Sequence, residues 1–229
     1  MIERPPILIT GAARSGAGMI AGVINLCGAF GGVMPNKKGL YENEGIRDTV
    51  VKPYLRKCGA DPEGQNPLLD LSKEVRMPMN FRTDVEGIIK QHGYEMGPWM
   101  YKDARIALMW PVWHYAFPDA KWIIVRRRTG DIIDSCLKTG YMTAYDTSLG
   151  WLGWVHEYEK RFVSMITEGV NCKIIWPERM VHGDFQQLYE TLEWVGLPWK
   201  TEVLTFIDPL LWGNRRKKKG NRNGKSDGR

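Results

Sequence analysis

Short apolar runs alternate with longer segments of helical periodicity along most of this chain. The runs at 7–9, 99–102, 121–126 and 173–176 predict β-strands. Apolar spacing and end signals predict helices over 17–26, 44–57, 83–92, 104–117, 131–138, 151–166 and 184–195. Strands that alternate with helices are typical of a parallel sheet covered on both faces. The pattern therefore predicts a three-layer α/β fold.

Residues 35–98 interrupt this alternation. They are irregular and rich in Gly and Pro, and they predict an insertion that covers the carboxyl edge of the sheet. We expect one α/β domain over residues 1–212, followed by a tail over 213–229. The net charge is +6, but the segment 214–229 alone carries eight Lys or Arg and one Asp. The preceding residues therefore carry about −1. This predicts a disordered basic tail and no specific nucleic-acid partner for the domain.

Other features of the composition exclude further classes. No apolar run approaches the roughly 18 residues that cross a membrane, and the first residues lack the zones of a signal peptide. These features predict a cytoplasmic protein with no membrane partner. The cysteines are widely spaced, at Cys27, Cys58, Cys136 and Cys172. This spacing favours four reduced thiols in or near the core over disulfides or a metal site. Trp110, Trp113, Trp151 and Trp154 fall at helical spacings, which predicts core positions.

A glycine-rich loop follows the first predicted strand and precedes the first helix. In Gly11–Gly16, backbone N–H groups and the helix dipole are placed to bind an anion such as phosphate. A nucleotide triphosphatase would carry a Lys and a hydroxyl residue after Gly16, whereas this chain has Ala17 and Gly18. The context is that of a phosphate loop without the residues of a magnesium-dependent NTPase. A glycine-rich connection without a ligand is the alternative.

A second candidate anion site follows the strongest predicted strand. Three arginines, residues 126–128, end this strand, and Asp131 and Ser135 follow in the next helix. The planar guanidinium of Arg127 suits phosphate oxygens, and Ser135 adds a hydroxyl donor. Asp131 is better placed to cap the helix than to contact an anion. The alternative is a solvated strand end.

Together these motifs resemble the sulfotransferases that use 3′-phosphoadenosine 5′-phosphosulfate (PAPS). Arg14-Ser15-Gly16 is similar to their phosphosulfate loop, although the usual pair of hydroxyl residues is replaced by Ala17-Gly18. Arg127 and Ser135 have the spacing with which the family holds the 3′-phosphate of the cofactor. Further similar segments are residues 39–43, 101–105, 176–179, 182–185 and 194–199. The resemblance implies a P-loop NTPase-like fold and PAPS binding without metal. It assigns the cofactor to Gly11, Ala12, Ala13, Arg14, Ser15, Gly16, Ala17, Gly18, Arg127 and Ser135.

Sulfuryl transfer requires a base for the proton of the acceptor and positive charge beside the transferred group. The resemblance favours Glu42 as the base, with Glu44 as the fallback; both residues would otherwise cap or decorate a helix that starts near Asn43. Lys102, at a strand end, is the candidate for oxygen stabilisation, unless it only forms an ion pair with Asp103 or a neighbour. Arg14 would serve the same anion from the loop.

Some features of the sequence leave their roles open. Trp99 and Tyr41 are candidates for an acceptor pocket or for adenine stacking. The basic residues 215–219 would either approach the 3′-phosphate or form a solvated tail. The resemblance implies a hydroxyl or amine acceptor on a small molecule, glycan or peptide, and the oligomeric state is open. The competing functions are a P-loop kinase or NTPase and a non-catalytic nucleotide-binding relative.

Overall fold

The computed structural model describes residues 2–34, 41–73 and 75–207. Its centre is a parallel sheet of β1 (Ile7–Thr10), β2 (Met100–Lys102), β3 (Lys121–Val125) and β4 (Cys172–Ile175) in the order β2-β1-β3-β4. All four strands occur where the apolar runs predict them. Ile9 of β1 lies opposite Lys102 on one side and Ile123 on the other. The carboxyl ends of β1, β2 and β3 therefore meet at one edge of the sheet.

Ten α-helices surround this sheet in the described part of the chain. They are α1 (Ala17–Leu26), α2 (Glu44–Ile46), α3 (Lys52–Lys57), α4 (Phe81–Gln91), α5 (Trp110–Ala116), α6 (Thr129–Leu137), α7 (Ser148–Thr167), α8 (Pro177–Val181), α9 (Gln186–Val195) and α10 (Glu202–Phe206). Alternate residues of a strand point to opposite faces, and Ile123 and Ile124 accordingly belong to two separate cores. Helices α1, α9 and α10 form one core with the sheet, and α3, α4, α5 and α7 form the other. The predicted α/β fold with helices on both faces is confirmed.

Several helix boundaries differ from the sequence prediction. The segment predicted as one helix over 44–57 contains a π-helical turn, Arg47–Val51, between α2 and α3. The segment 104–117 is a 3₁₀ turn, Ala104–Ala107, followed by α5, which places Pro111 in the first turn of the helix, where proline is tolerated. Helices α8 and α10 were not predicted, since each is only five residues long.

The aromatic and sulfur-containing side chains divide between core and surface. The tryptophans predicted in the core, Trp110, Trp113, Trp151 and Trp154, are all buried. Trp99 is also fully buried, where it packs on Phe117 and donates to the carbonyl of Arg4. Both roles considered for it, in an acceptor pocket or in adenine stacking, are therefore wrong. The four cysteines are free, but Cys58 is exposed, which corrects the expectation that all lie in or near the core.

The predicted insertion is described in part, and the predicted tail is not. The described residues of the insertion, 41–73 and 75–98, carry α2, α3 and α4, which pack on the sheet core through side chains such as Leu55 and Val85. Residues 35–40 and the predicted basic tail, 213–229, lie outside the described residues. Within the described ranges, no helix combines the length and apolarity needed to cross a membrane.

Candidate functional site

The loop between β1 and α1 turns sharply at two left-handed residues. Arg14 has φ 73° and Gly16 has φ 95°. The N–H of Ser15 donates to the carbonyl of Ala12 at 3.0 Å, which closes the turn. Because the first N–H groups of a helix have no acceptor within that helix, α1 presents donors and the positive end of its dipole at this point.

The loop is packed tightly against the end of β3. A Cβ atom on Gly11 would lie 2.4 Å from the carbonyl oxygen of Val125 and 2.5 Å from the Oγ of Ser15, so only glycine fits at this position. The Ser15 hydroxyl is buried and has no hydrogen-bond partner among the described residues. A buried hydroxyl without a partner costs about 1–3 kcal/mol. Together with the N–H groups of α1, it is a donor suited to an oxygen-rich ligand.

The second motif meets this loop directly. The Nε of Arg14 donates to the Oγ of Ser135 at 2.9 Å, and the Nη1 of Arg127 donates to the carbonyl of Arg14 at 3.1 Å. The sequence separation between these segments is more than 110 residues, yet the strand order places β1 and β3 side by side. In doubly wound sheets with this order of strands, ligands bind at the carboxyl ends of β1 and β3, where the connections diverge to opposite faces.

The three consecutive arginines after β3 have different partners. Arg126 pairs with Glu159 and lies over the ring of Trp176, and the exposed Arg128 pairs with Glu178. Arg127 alone turns toward the loop. Burial lowers the pKa of Arg127, and the charge of Arg14 lowers it further, although the guanidinium stays protonated near neutral pH.

Two acidic residues were candidates for the base, and the structure separates them. Asn43 lies between them and caps α2 through its Oδ1, which accepts from the N–H of Ile46. Glu44 is exposed and pairs with Arg47, which also lies 3.9 Å from Glu42. Glu42 instead faces the end of β2, where Lys102 donates to its Oε1 at 2.7 Å and Arg105 donates to its Oε2 at 3.0 Å.

Lys102 lies at the carboxyl end of β2 and is only 8% exposed. Lys102 forms an ion pair with Glu42, and Asp103 forms one with Arg105. Because parallel neighbours are about 4.8 Å apart, β1 separates the Glu42–Lys102 pair from the end of β3 by about 10 Å. The edge of the sheet therefore carries a carboxylate with three cations, Lys102, Arg105 and Arg47, on one side of the phosphate loop and a cluster of arginines on the other.

Buried groups behind Arg105 fix its position. Asp103 is fully buried and accepts from the N–H and Nε of Arg105, at 2.8 and 2.7 Å, and from the hydroxyl of Tyr101 at 2.8 Å. Burial opposes ionisation of Asp103, but the charge and hydrogen bonds of Arg105 outweigh it and hold the pKa of Asp103 below its usual range. Burial also opposes the charge of Arg105, and its ion pairs with Asp103 and Glu42 reverse this effect and raise its pKa.

The sequence analysis did not identify Arg105 and Tyr141 as site residues, and its prediction that Asp131 caps a helix was wrong. Arg105 lies in the similar segment 101–105, which was a usable signal, whereas nothing in the sequence distinguished Tyr141, whose hydroxyl lies 3.2 Å from Arg14. Asp131 does not cap α6, because the helix begins two residues earlier and Asp131 falls in its first turn. Tyr41 is half-buried against the ring of Phe206. No group of three metal-binding side chains occurs in the described part of the chain.

Comparisons with known proteins extend this picture. No protein-family model matches the chain, and no curated protein sequence matches it significantly. Among solved structures, the sulfotransferase STF1 from Mycobacterium tuberculosis H37Rv superposes with a TM-score of 0.50 at 11% identity, over 90% of this chain and 71% of STF1. The sulfotransferase STF9 from Mycobacterium avium gives a TM-score of 0.49 at 14% identity, over 91% of this chain and 68% of STF9. The chain therefore has the α/β fold of the mycobacterial sulfotransferase STF1.

Proposed function

We propose that the chain is a sulfotransferase that moves the sulfuryl group of PAPS to a hydroxyl or amine. The acceptor belongs to a small molecule, a glycan or a peptide. One observation carries this proposal: the phosphate loop after β1 and the Arg127–Ser135 segment after β3 meet through Arg14. A nucleotide with phosphate groups at both its 5′ and 3′ ends matches two adjoining anion sites. The shared fold with STF1 supports the same reading.

The donor set of the loop fits a phosphosulfate. The Ser15 hydroxyl has no protein partner among the described residues, and Gly11 allows the chain to turn where a Cβ would collide. Ala17 and Gly18, which replace the usual hydroxyl pair, are buried, so the backbone N–H groups of α1 must supply the remaining donors. Binding therefore relies on the backbone, on Ser15 and on the arginines.

PAPS, when bound, supplies an activated sulfuryl group and adenosine 3′,5′-bisphosphate as the leaving group. The Glu42 carboxylate accepts the proton of the acceptor hydroxyl or amine. Lys102 places a positive charge next to Glu42, where it stabilises negative charge on the oxygens of the reacting group. Arg105 holds the second carboxylate oxygen of Glu42 and keeps the base at the sheet edge. Positioning and electrostatics supply most of the acceleration in such transfers.

Calorimetry tests the cofactor. We expect adenosine 3′,5′-bisphosphate to bind at least tenfold more tightly than adenosine 5′-phosphate or ATP with magnesium. Arg127→Ala removes a charge-assisted contact and is expected to abolish most of this preference. The matched control is Arg128→Ala, since Arg128 is the next residue and is exposed to solvent. Tighter binding of ATP with magnesium would favour a P-loop kinase or NTPase instead.

Turnover then separates an enzyme from a nucleotide-binding relative. Release of adenosine 3′,5′-bisphosphate from PAPS is followed with a panel of phenols, alcohols, sugars and amines. Glu42→Gln is expected to lower kcat by about 10²–10⁴, and the exposed-site control Asp48→Asn is expected to leave it unchanged. A loss confined to Glu44→Gln would move the base to Glu44. Binding without turnover for any acceptor would support a non-catalytic role.

A further inference from the structure

The imidazole of His92 contacts the chain both before and after residues 35–40. His92 directly follows α4 and is half-buried. Its Nδ1 accepts from the backbone N–H of Val33 at 3.2 Å and lies 3.0 Å from the side-chain Nδ2 of Asn43. Asn43 is the N-cap of α2 and is the residue after Glu42. One ring nitrogen therefore joins the end of α4 to the segment that carries the candidate base.

The other contacts of Asn43 fix the orientation of its amide. Its Oδ1 accepts from the N–H of Ile46 at 3.1 Å, and its Nδ2 donates to the carbonyl of Gly31 at 3.1 Å. An amide nitrogen has two hydrogens, and the second one is directed at the Nδ1 of His92. Because Val33 and Asn43 both present donors to Nδ1, this nitrogen is the unprotonated one, and the neutral ring carries its hydrogen on Nε2. Both hydrogens of the Asn43 amide thus have acceptors at a residue that is only 1% exposed.

Two glycines leave the space that the imidazole occupies. A Cβ atom on Gly32 would lie 2.8 Å from the Nδ1 of His92 and 2.3 Å from the Nδ2 of Asn43. A Cβ atom on Gly45 would lie 3.1 Å from the Cε1 of His92. Gly32 also has φ 74°, in the left-handed region that favours glycine. The backbone around the ring is therefore shaped to receive His92 and Asn43 together.

The position of Glu42 depends on this pair, because Glu42 is the chain neighbour of Asn43. The Oε1 of Glu42 accepts from Lys102 at 2.7 Å, and its Oε2 accepts from Arg105 at 3.0 Å. These contacts require the backbone of residues 42 and 43 to stay close to the end of β2. A displacement of about 1 Å in a reacting group can lower a rate by about 10²-fold. The Asn43–His92 contact therefore acts on the candidate base through the backbone.

We propose that His92 is a positioning residue for the transfer reaction: its Nδ1 holds the amide of Asn43 and thereby fixes Glu42 beside its cationic partners. This inference rests on the proposed role of Glu42 as the base. It requires a hydrogen-bond acceptor at the place of Nδ1 rather than an aromatic ring. Asparagine at residue 92 would retain this acceptor, because its Oδ1 is separated from Cα by the same number of bonds as the Nδ1 of histidine.

The test uses three variants of the full chain. His92→Phe keeps the ring and removes the acceptor, His92→Asn restores an acceptor, and His156→Phe is the matched control at an exposed histidine of α7. For each variant, kcat is measured with PAPS and the phenol, alcohol, sugar or amine on which the wild type is fastest. Calorimetry gives the Kd of adenosine 3′,5′-bisphosphate. NMR hydrogen exchange is followed at the backbone N–H of Ile46, which donates to Asn43, and thermal unfolding confirms that each variant is folded.

We expect His92→Phe to lower kcat by about tenfold to 10²-fold and to leave the Kd of the nucleotide within about twofold of the wild type. Loss of one hydrogen bond should also accelerate the exchange of the Ile46 N–H by about tenfold. His92→Asn should remain within about threefold of the wild type in all three measurements, because the acceptor is retained. His156→Phe should match the wild type.

Two outcomes would overturn the role of His92 and leave the proposed function intact. In the first, His92→Phe keeps the kcat of the wild type. In the second, His92→Asn loses as much kcat as His92→Phe, which would mean that the packing of the ring matters rather than its nitrogen. A wild type that sulfonates no acceptor of the panel would overturn the proposed function and, with it, the catalytic consequence of this contact. The exchange of Ile46 would then still test the contact itself, since an unchanged rate in His92→Phe would show that His92 does not hold Asn43.

Discussion

Asp103 should be the side chain whose charge contributes most to the stability of the site. It is fully buried and accepts three hydrogen bonds, two of them from Arg105 and one from Tyr101. Asp103→Asn preserves the volume and removes the charge. The guanidinium of Arg105, itself largely buried, would keep only Glu42 and the more distant Glu63 as counter-charges.

Removal of one partner from a buried ion pair costs about 3–5 kcal/mol, because the other charge stays buried without compensation. The asparagine oxygen can still accept from Arg105, so we expect about 3 kcal/mol for Asp103→Asn. In a domain of this size this corresponds to a fall in Tm of about 6–12 °C. Glu63→Gln is the matched control, since Glu63 is 52% exposed and lies 3.6 Å from the same guanidinium. Exposed pairs contribute about 1 kcal/mol or less.

The pH dependence gives an independent check. The pKa of Asp103 is lowered in the folded chain, so its contribution to stability is complete above the unfolded pKa, about 3.9, and is lost as the pH falls through the folded pKa. The difference between wild type and Asp103→Asn in urea unfolding should therefore be constant from pH 5 to pH 7 and shrink below about pH 4. A variant within 1 kcal/mol of the wild type at pH 7, or a difference that grows in acid, would refute the buried-charge reasoning.

Two further predictions follow from close packing and burial. Gly11→Ala should destabilise the fold by about 1–3 kcal/mol, because its Cβ would collide with the carbonyl of Val125, and should weaken nucleotide binding; Gly87→Ala, in α4 with open space around it, should be neutral or slightly stabilising. Unfolding curves with calorimetry check both variants, and an unchanged Gly11→Ala would contradict the packing. Among the thiols, the exposed Cys58 should react rapidly with a disulfide reagent, whereas Cys136 is buried, and burial raises its pKa to about 12. Cys136 should therefore react only on unfolding, and peptide mapping after a short exposure would reveal the opposite order.

Most of the fold could be predicted, because the local periodicity of apolar residues indicates where the strands and the long helices lie. The run 121–126 is long, β-branched and apolar, and it became β3; the 3.6-residue spacing over 151–166 became the centre of α7. The short helices α8 and α10 were not predicted, because five residues contain too few apolar positions to show a helical period. The burial of Trp99 could not be predicted, because it depends on packing against Phe117, which is distant in sequence.

The candidate site was only partly predictable, for a related reason. Motif spacing placed Arg127 and Ser135 in one cluster because both follow the same strand. The partner of Glu42 depends instead on how the insertion folds back to the end of β2, where Lys102 and Arg105 receive it. No local pattern encodes such a contact. Sequence reasoning could rank Glu42 above Glu44 only by resemblance. In the structure both lie near Arg47, but Glu42 is less exposed and also pairs with Lys102 and Arg105.

Arg14 shows how long-range contacts hold a strained backbone conformation. A non-glycine residue in the left-handed region costs about 1–2 kcal/mol, and such a conformation persists only where its surroundings impose it. Here the surroundings are the hydrogen bonds to Ser135, Tyr141 and Arg127. The motif identifies the loop in which a basic residue lies, but the hydrogen bonds to Ser135 and Tyr141 show where its guanidinium lies. Glycine at this position would relieve the strain and remove the charge. The strained conformation of Arg14 is therefore explained by contacts that join the phosphate loop to the segments after β3.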